Sequence, residues 1–295
     1  GTDASSLVKL GTAVLTLSGN NTFTGTVTVG ALNGANVGGL TISGNTAIKG
    51  ATVNAGTLTI THATAATNMT IGGAVNVTGG AFTMAGTGTN TISGALNVSN
   101  SGVVSFSGAS PSNNVITGTV TIGNAGSVVF TNAANITGKI TVSDQANFAL
   151  NGAAANNILA GGLEVAPGAT VNLAGNTTFG GAGLLLNNGG AVTMAGINVF
   201  NAPLVIGGPM ALTLSNTTTA NAFNGQVTVN AGSLAVSHAT NTFNGLVTMA
   251  SPNTLSVTGT GVTTFGAGAN VSNGTLSIAG NTTVTSGGIT TSNVG

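Results

Sequence analysis

The sequence predicts an all-β chain wound into a parallel, right-handed β-helix of about thirteen coils. Three observations predict it. Apolar residues alternate at every second position, the alternating pairs recur at a steady period, and Gly and Asn collect in the gaps. Period-2 alternation turns one row of side chains inward and the next outward. A unit of about 22 residues cannot bury its own apolar face, whereas stacked units can, and that is how a solenoid is stabilised. Crossovers between parallel strands are nearly always right-handed. An antiparallel barrel or sandwich would instead show hairpin turns between paired strands.

Each unit opens with an apolar pair at i, i+2. The pairs are Leu15/Leu17, Leu40/Ile42, Leu58/Ile60, Phe82/Met84, Val104/Phe106, Val128/Phe130 and Phe148/Leu150, then Val171/Leu173, Val192/Met194, Leu212/Leu214, Leu234/Val236, Leu255/Val257 and Leu276/Ile278. Twelve steps from residue 15 to residue 276 span 261 residues, a mean period of 21.75. A single apolar plug comes next, usually after Asn or Thr: Phe23, Ile48, Met69, Ile92, Ile116, Ile136, Ile158, Phe179, Phe200, Phe223, Phe243, Phe265 and Val284. A second pair closes the unit, from Val27/Val29 through Val75/Val77 and Leu163/Val165 to Val247/Met249, with weaker copies around Val53, Val271 and Ile289. Gly and Asn suit the corners because they tolerate positive φ. Pro167, Pro209 and Pro252 fall between units, where a missing N–H costs least. The stretch 31–38, "ALNGANVG", is expected to bulge, because the first step is 25 residues and the next 18. The whole of 1–295 reads as one continuous domain, with repeats starting near 13, 38, 56, 80, 102, 126, 146, 169, 190, 210, 232, 253 and 274. Thirteen coils spaced about 4.8 Å apart make a rod about 60 Å long.

Composition narrows function. Charged residues are 2% of the chain, against about 25% in ordinary domains. Lys9, Lys49 and Lys139 balance Asp3, Asp144 and Glu164. Three scattered lysines make no basic stripe for nucleic acid or anionic lipid. With no Cys there is no disulfide framework and no thiolate metal site. No apolar run is long enough for a spanning helix. Near-zero net charge leaves little repulsion between copies. The opening "GTDASS" reads as the start of a processed product or of a piece of something longer.

Candidate chemistry is sparse. Asp144 and Glu164 lie about one period apart, but Glu164 is expected to face outward between Leu163 and Val165 while Asp144 follows its strand. That is not the facing pair that glycoside hydrolysis needs. His62 and His238 share the context "[TS]HAT" eight units apart, about 40 Å along the stack, so they do not share a metal. They read as corner residues with local hydrogen bonds. No catalytic, cofactor-binding or metal-ligating residue is expected, and the chain reads as a non-enzyme. Sequons such as Asn20, Asn68, Asn135, Asn176 and Asn281 permit glycosylation without indicating it. Outward between the first pair stand Thr16, Thr41, Thr59, Thr83, Ser105, Thr193, Thr213, Ser256 and Ser277, which is ordinary β-propensity or a water-ordering, ice-binding ladder broken in the middle. In the second pair the outward residues are mostly Thr or Asn. Leu185 and Val205 break that rule on neighbouring coils and are the candidate interface with another chain.

The stretch 15–29, "LTLSGNNTFTGTVTV", resembles the autotransporter-associated β-strand repeat, roughly L-x-L-x-G-x-N-T-[YF]-x-G-x-T-x-V. Residues 212–234 and 234–249 repeat it with variation, and 80–170 follow its rhythm. The resemblance implies a passenger region of a large bacterial surface protein, a right-handed β-helix exported through an outer-membrane barrel. The plug here is Phe or aliphatic where that repeat carries Tyr, and no barrel-forming segment follows within the 295 residues. The sequence therefore predicts an extracellular or cell-surface structural protein whose partners are other copies of itself, assembling into a fibre, matrix or surface layer. The alternatives are a passenger acting as an adhesin toward cell-surface glycans and, more remotely, an ice- or glycan-binding solenoid.

Overall fold

The computed structural model describes residues 5–31, 38–44, 46–62, 68–108, 113–153, 155–215, 220–250 and 252–292. The fold is all-β, a solenoid of parallel strands with about 13 turns of about 21 residues each. The bulge expected over 31–38 lies largely outside the described residues. The chain divides into two compact units, Gly1–Ile140 with Asp144–Gly152, and Thr141–Ser143 with Ala153–Gly295.

Most coils carry three strands. In the first unit the opening pairs lie on Leu15–Leu17, Gly39–Ser43, Thr57–Thr61, Ala81–Ala85, Val103–Ser107, Ser127–Phe130 and Asn147–Leu150, joined in that order. In the second unit they lie on six strands from Thr170–Leu173 to Thr275–Ile278. The register stacks like on like: Leu15 on Leu40, Leu40 on Leu58, Leu234 on Leu255, Leu255 on Leu276. This is the cross-strand pairing that stabilises a sheet, repeated coil after coil.

The expected single plug turns out to sit in a strand of its own. In the later coils these strands are three or four residues long, for example Thr89–Ile92, Asn198–Phe200 and Thr240–Phe243. In the first two full coils this strand runs straight into the third, as Asn21–Val29 and Thr46–Val53, with a register shift between Phe23 and Thr26. Two plug assignments are corrected. Ile71 rather than Met69 registers with Ile48 and Ile92, although both are buried. Leu159 rather than Ile158 registers with Phe179, and Ile158 points outward, 43% exposed. Adjacent aliphatics offer two phases of alternation, and the row of plugs selects one.

Aromatic residues stack along the second unit's core. Phe179, Phe200, Phe223, Phe243 and Phe265 follow one another with ring centroids 4.8, 4.9, 4.4 and 5.1 Å apart and planes nearly parallel. The rings stack face to face because the strand spacing of about 4.8 Å leaves no room to tilt. Phe106 and Phe130 stack likewise at 4.4 Å in the first unit. Pairs of residues at positive φ, Asn100/Ser101, Asn124/Ala125 and Asp144/Gln145, recur at equivalent turns of successive coils of the first unit. Here the backbone amides of Ser101 and Ala125 donate to the carbonyls of Asn124 and Asp144 in the next coil.

Candidate functional site

Inside each coil, two residues before the plug, runs a second inward row that is mostly amide and hydroxyl. In the first unit Asn21 stacks on Thr46, Met69 on Asn90, and Asn90 on Asn114. In the second unit Asn157 stacks on Thr177 and Thr177 on Asn198, and Asn221 is followed by Asn241, Thr263 and Thr282. Buried amides need partners. Asn90 Nδ2 donates to Asn114 Oδ1 at 2.9 Å, Asn114 Nδ2 to the Ala133 carbonyl at 3.1 Å, and Asn241 Nδ2 to the His238 carbonyl at 3.1 Å. Sequence reading missed this row, because an inward polar residue looks like a corner residue when only apolar alternation is counted.

Glu164 lies on the strand Leu163–Val165, outward as expected, and accepts a hydrogen bond from Asn187 Nδ2 at 2.8 Å. Asp144 is exposed at its turn. His238 is buried, and its Nε2 lies 3.1 Å from the Gly196 carbonyl. A carbonyl only accepts, so Nε2 carries the proton in the neutral ring. Burial pushes its pKa below the usual histidine value, and the carbonyls of Gly196 and Leu214 oppose that shift only in part. His62 is also buried, and its ring occupies the space that a Cβ on Gly86 would take. Among the described residues no three His, Cys, Asp or Glu side chains gather where they could hold a metal ion. No helix of the described residues is long and apolar enough to cross a membrane.

The outward rows are where the fold offers surface. Thr41, Thr59, Thr83 and Ser105 stack in that order in the first unit. Leu185 and Val205 are register partners on Leu184–Leu186 and Leu204–Ile206, between Glu164 and Thr228. Both point outward between fully buried neighbours, and both are half-buried. An open groove of about 500 Å³ crosses three turns beside Pro209, Met210, Gly232 and Pro252, lined without a charged group.

The terminal coils differ from all others. Among the described residues, Leu7–Lys9 and Leu15–Leu17 pair on one side only, and so do Thr275–Ile278, Asn281–Val284 and Ile289–Ser292. Their inward side chains lose cover. Leu15, Val284 and Ile289 are 36, 39 and 40% exposed, and Leu17, Phe23, Leu276 and Ile278 are half-buried. Interior residues of the same rows are fully buried. No protein-family model, curated protein or solved structure matches the chain.

Proposed function

We propose that this chain is a non-enzymatic structural protein working outside the cell, a β-solenoid subunit whose copies associate into a fibre, matrix or surface layer. The observation that carries the reading is the pair Leu185 and Val205, aliphatic register partners that point outward on neighbouring coils. A net charge of zero supports it, because copies approach without repulsion. So does the sameness of the coils, since a stack needs each layer to fit the next and needs no reactive group. Leu185 and Val205 provide the lateral contact between copies. The resemblance of 15–29 to autotransporter repeats supports export to the cell surface. It also favours the alternative, a passenger that serves as an adhesin for cell-surface glycans.

Electron microscopy of the purified chain over a concentration series tests the reading. Filaments or sheets that grow with concentration are expected. Isolated particles at every concentration would overturn self-association and leave the adhesin.

A further inference from the structure

We infer that His238 is an acid-operated latch: as a neutral ring it clamps three successive turns at one corner, and taking up a proton releases them. The residue stands two places past the opening apolar pair Leu234/Val236. The same place in other turns is held by Gly86, Gly108, Gly175, Gly196, Gly259 and Gly280, and by His62 in the first unit. A ring thus occupies a corner where most turns carry no side chain at all, and it is fully buried there. Its Nε2 donates to the carbonyl of Gly196, its own counterpart two turns away, at 3.1 Å. The turn in between is held by the preceding residue, since Ser237 N and Oγ donate to the Leu214 carbonyl at 3.0 and 3.1 Å. Ser237 and His238 together tie the turns that open on Ala191–Met194, Ala211–Leu214 and Ser233–Val236.

The corner accommodates only the neutral ring. Nδ1 is buried and has no hydrogen-bond partner among the described residues. A proton there would add a second donor, while the Leu214 carbonyl beside the ring already accepts two bonds from Ser237, one for each lone pair. Nothing nearby balances an imidazolium. From residue 165 to residue 295 His238 is the only ionisable side chain, so Ala191–Met194, Ala211–Leu214 and Thr254–Val257, the strands that flank its own in the sheet, bring no charge to it. Glu164 faces outward on Leu163–Val165 and is bonded to Asn187. A charge without a partner is costly to bury, so the ring either stays neutral or leaves the interior. An opened corner takes up the proton at the ordinary value of 6.5 and the closed one only at lower pH, so the latch holds above pH 6.5 and weakens as pH falls below it. Acid therefore parts the stack at one place, in a stretch whose other side chains do not titrate.

Hydrogen exchange of the whole chain at pH 7.5 and pH 5, corrected for the intrinsic exchange rate, tests the latch. Amides of residues 191–243 should exchange about tenfold faster or more at pH 5, with a ceiling of about 30-fold because pH 5 lies about 1.5 units below 6.5. Amides of 80–136 should not respond. His238→Gln keeps a neutral donor at the corner and should abolish the difference. The chain has two histidines, so the His238 ring signal is the one that persists in His62→Gln and can be followed by NMR in the unaltered chain. That measurement decides the matter even where His238→Gln does not fold: the acceleration should track the titration of this ring, with a midpoint below 6.5. Equal exchange at the two pH values would overturn the latch. So would acceleration spread evenly over both units, acceleration that survives in His238→Gln, or a His238 ring that titrates at or above 6.5.

Discussion

Replacing Phe223 by Ala removes one ring from the middle of the stack in the second unit. The ring is fully buried and touches a ring on each side, with centroids 4.9 Å from Phe200 and 4.4 Å from Phe243. Truncation of a buried Phe costs about 3–5 kcal/mol, and the upper half of that range applies where the walls cannot collapse. They cannot here, because both neighbours are pinned by strands that keep their register. Each ring pair adds about 0.5–1.5 kcal/mol beyond its area, so F223A and F243A should couple by about that much in a double-mutant cycle. F223A combined with Phe106→Ala should be additive, since those rings stack on different neighbours and share none. Urea unfolding followed by circular dichroism measures the total, and hydrogen exchange locates it. Amides of residues 200–243 should exchange faster in F223A, while those of 80–136 stay unchanged, because a solenoid is stabilised neighbour by neighbour. A loss below about 1 kcal/mol, or acceleration spread evenly over both units, would refute the view that the stack is a local, close-packed core.

Three further outcomes are expected. His238 is held neutral by burial, so its folded pKa lies below the ordinary value of 6.5. The unfolded chain then takes up the proton first, and stability falls as pH drops below 6.5; thermal melting at pH 7.5 and pH 5 should show the loss, and His238→Gln should flatten it. Asn241→Ala leaves the buried His238 carbonyl without its donor and interrupts the amide row, which should cost about 1–3 kcal/mol in denaturant unfolding. Substituting Leu185 and Val205 together by Thr should reduce association seen by light scattering while the circular dichroism spectrum stays unchanged; undiminished association would remove these two residues from the contact between copies.

The strands were legible because the apolar pairs alternate strictly and their neighbours are Thr, Asn or Gly. Their stacking followed from the period, since Leu40, Leu58 and Leu276 can be aligned without knowing any contact. The strand around each plug was hidden for a physical reason. Its other inward residue is Asn or Thr, and such residues pay for burial through hydrogen bonds to the next coil, which a hydropathy pattern does not register. Ile158 and Leu159 show the same blindness in another form: two aliphatics side by side give no phase, and only the row ending in Phe179 decides between them. Of the candidate surface, Leu185 and Val205 could be placed outward from their neighbours alone.

The rows also bear on how such a chain changes over generations. Every layer meets the next through the same six inward positions, so duplicating or deleting one stretch of about 21 residues leaves both neighbouring layers with a partner of the kind they had. The number of layers is therefore a quantity that mutation can adjust freely, unlike the strand count of a closed barrel, where one more strand forces a new diameter. Uneven steps such as 25 and then 18 residues leave the rows in register. Selection acting on reach would find it available by copying, with no new core to invent.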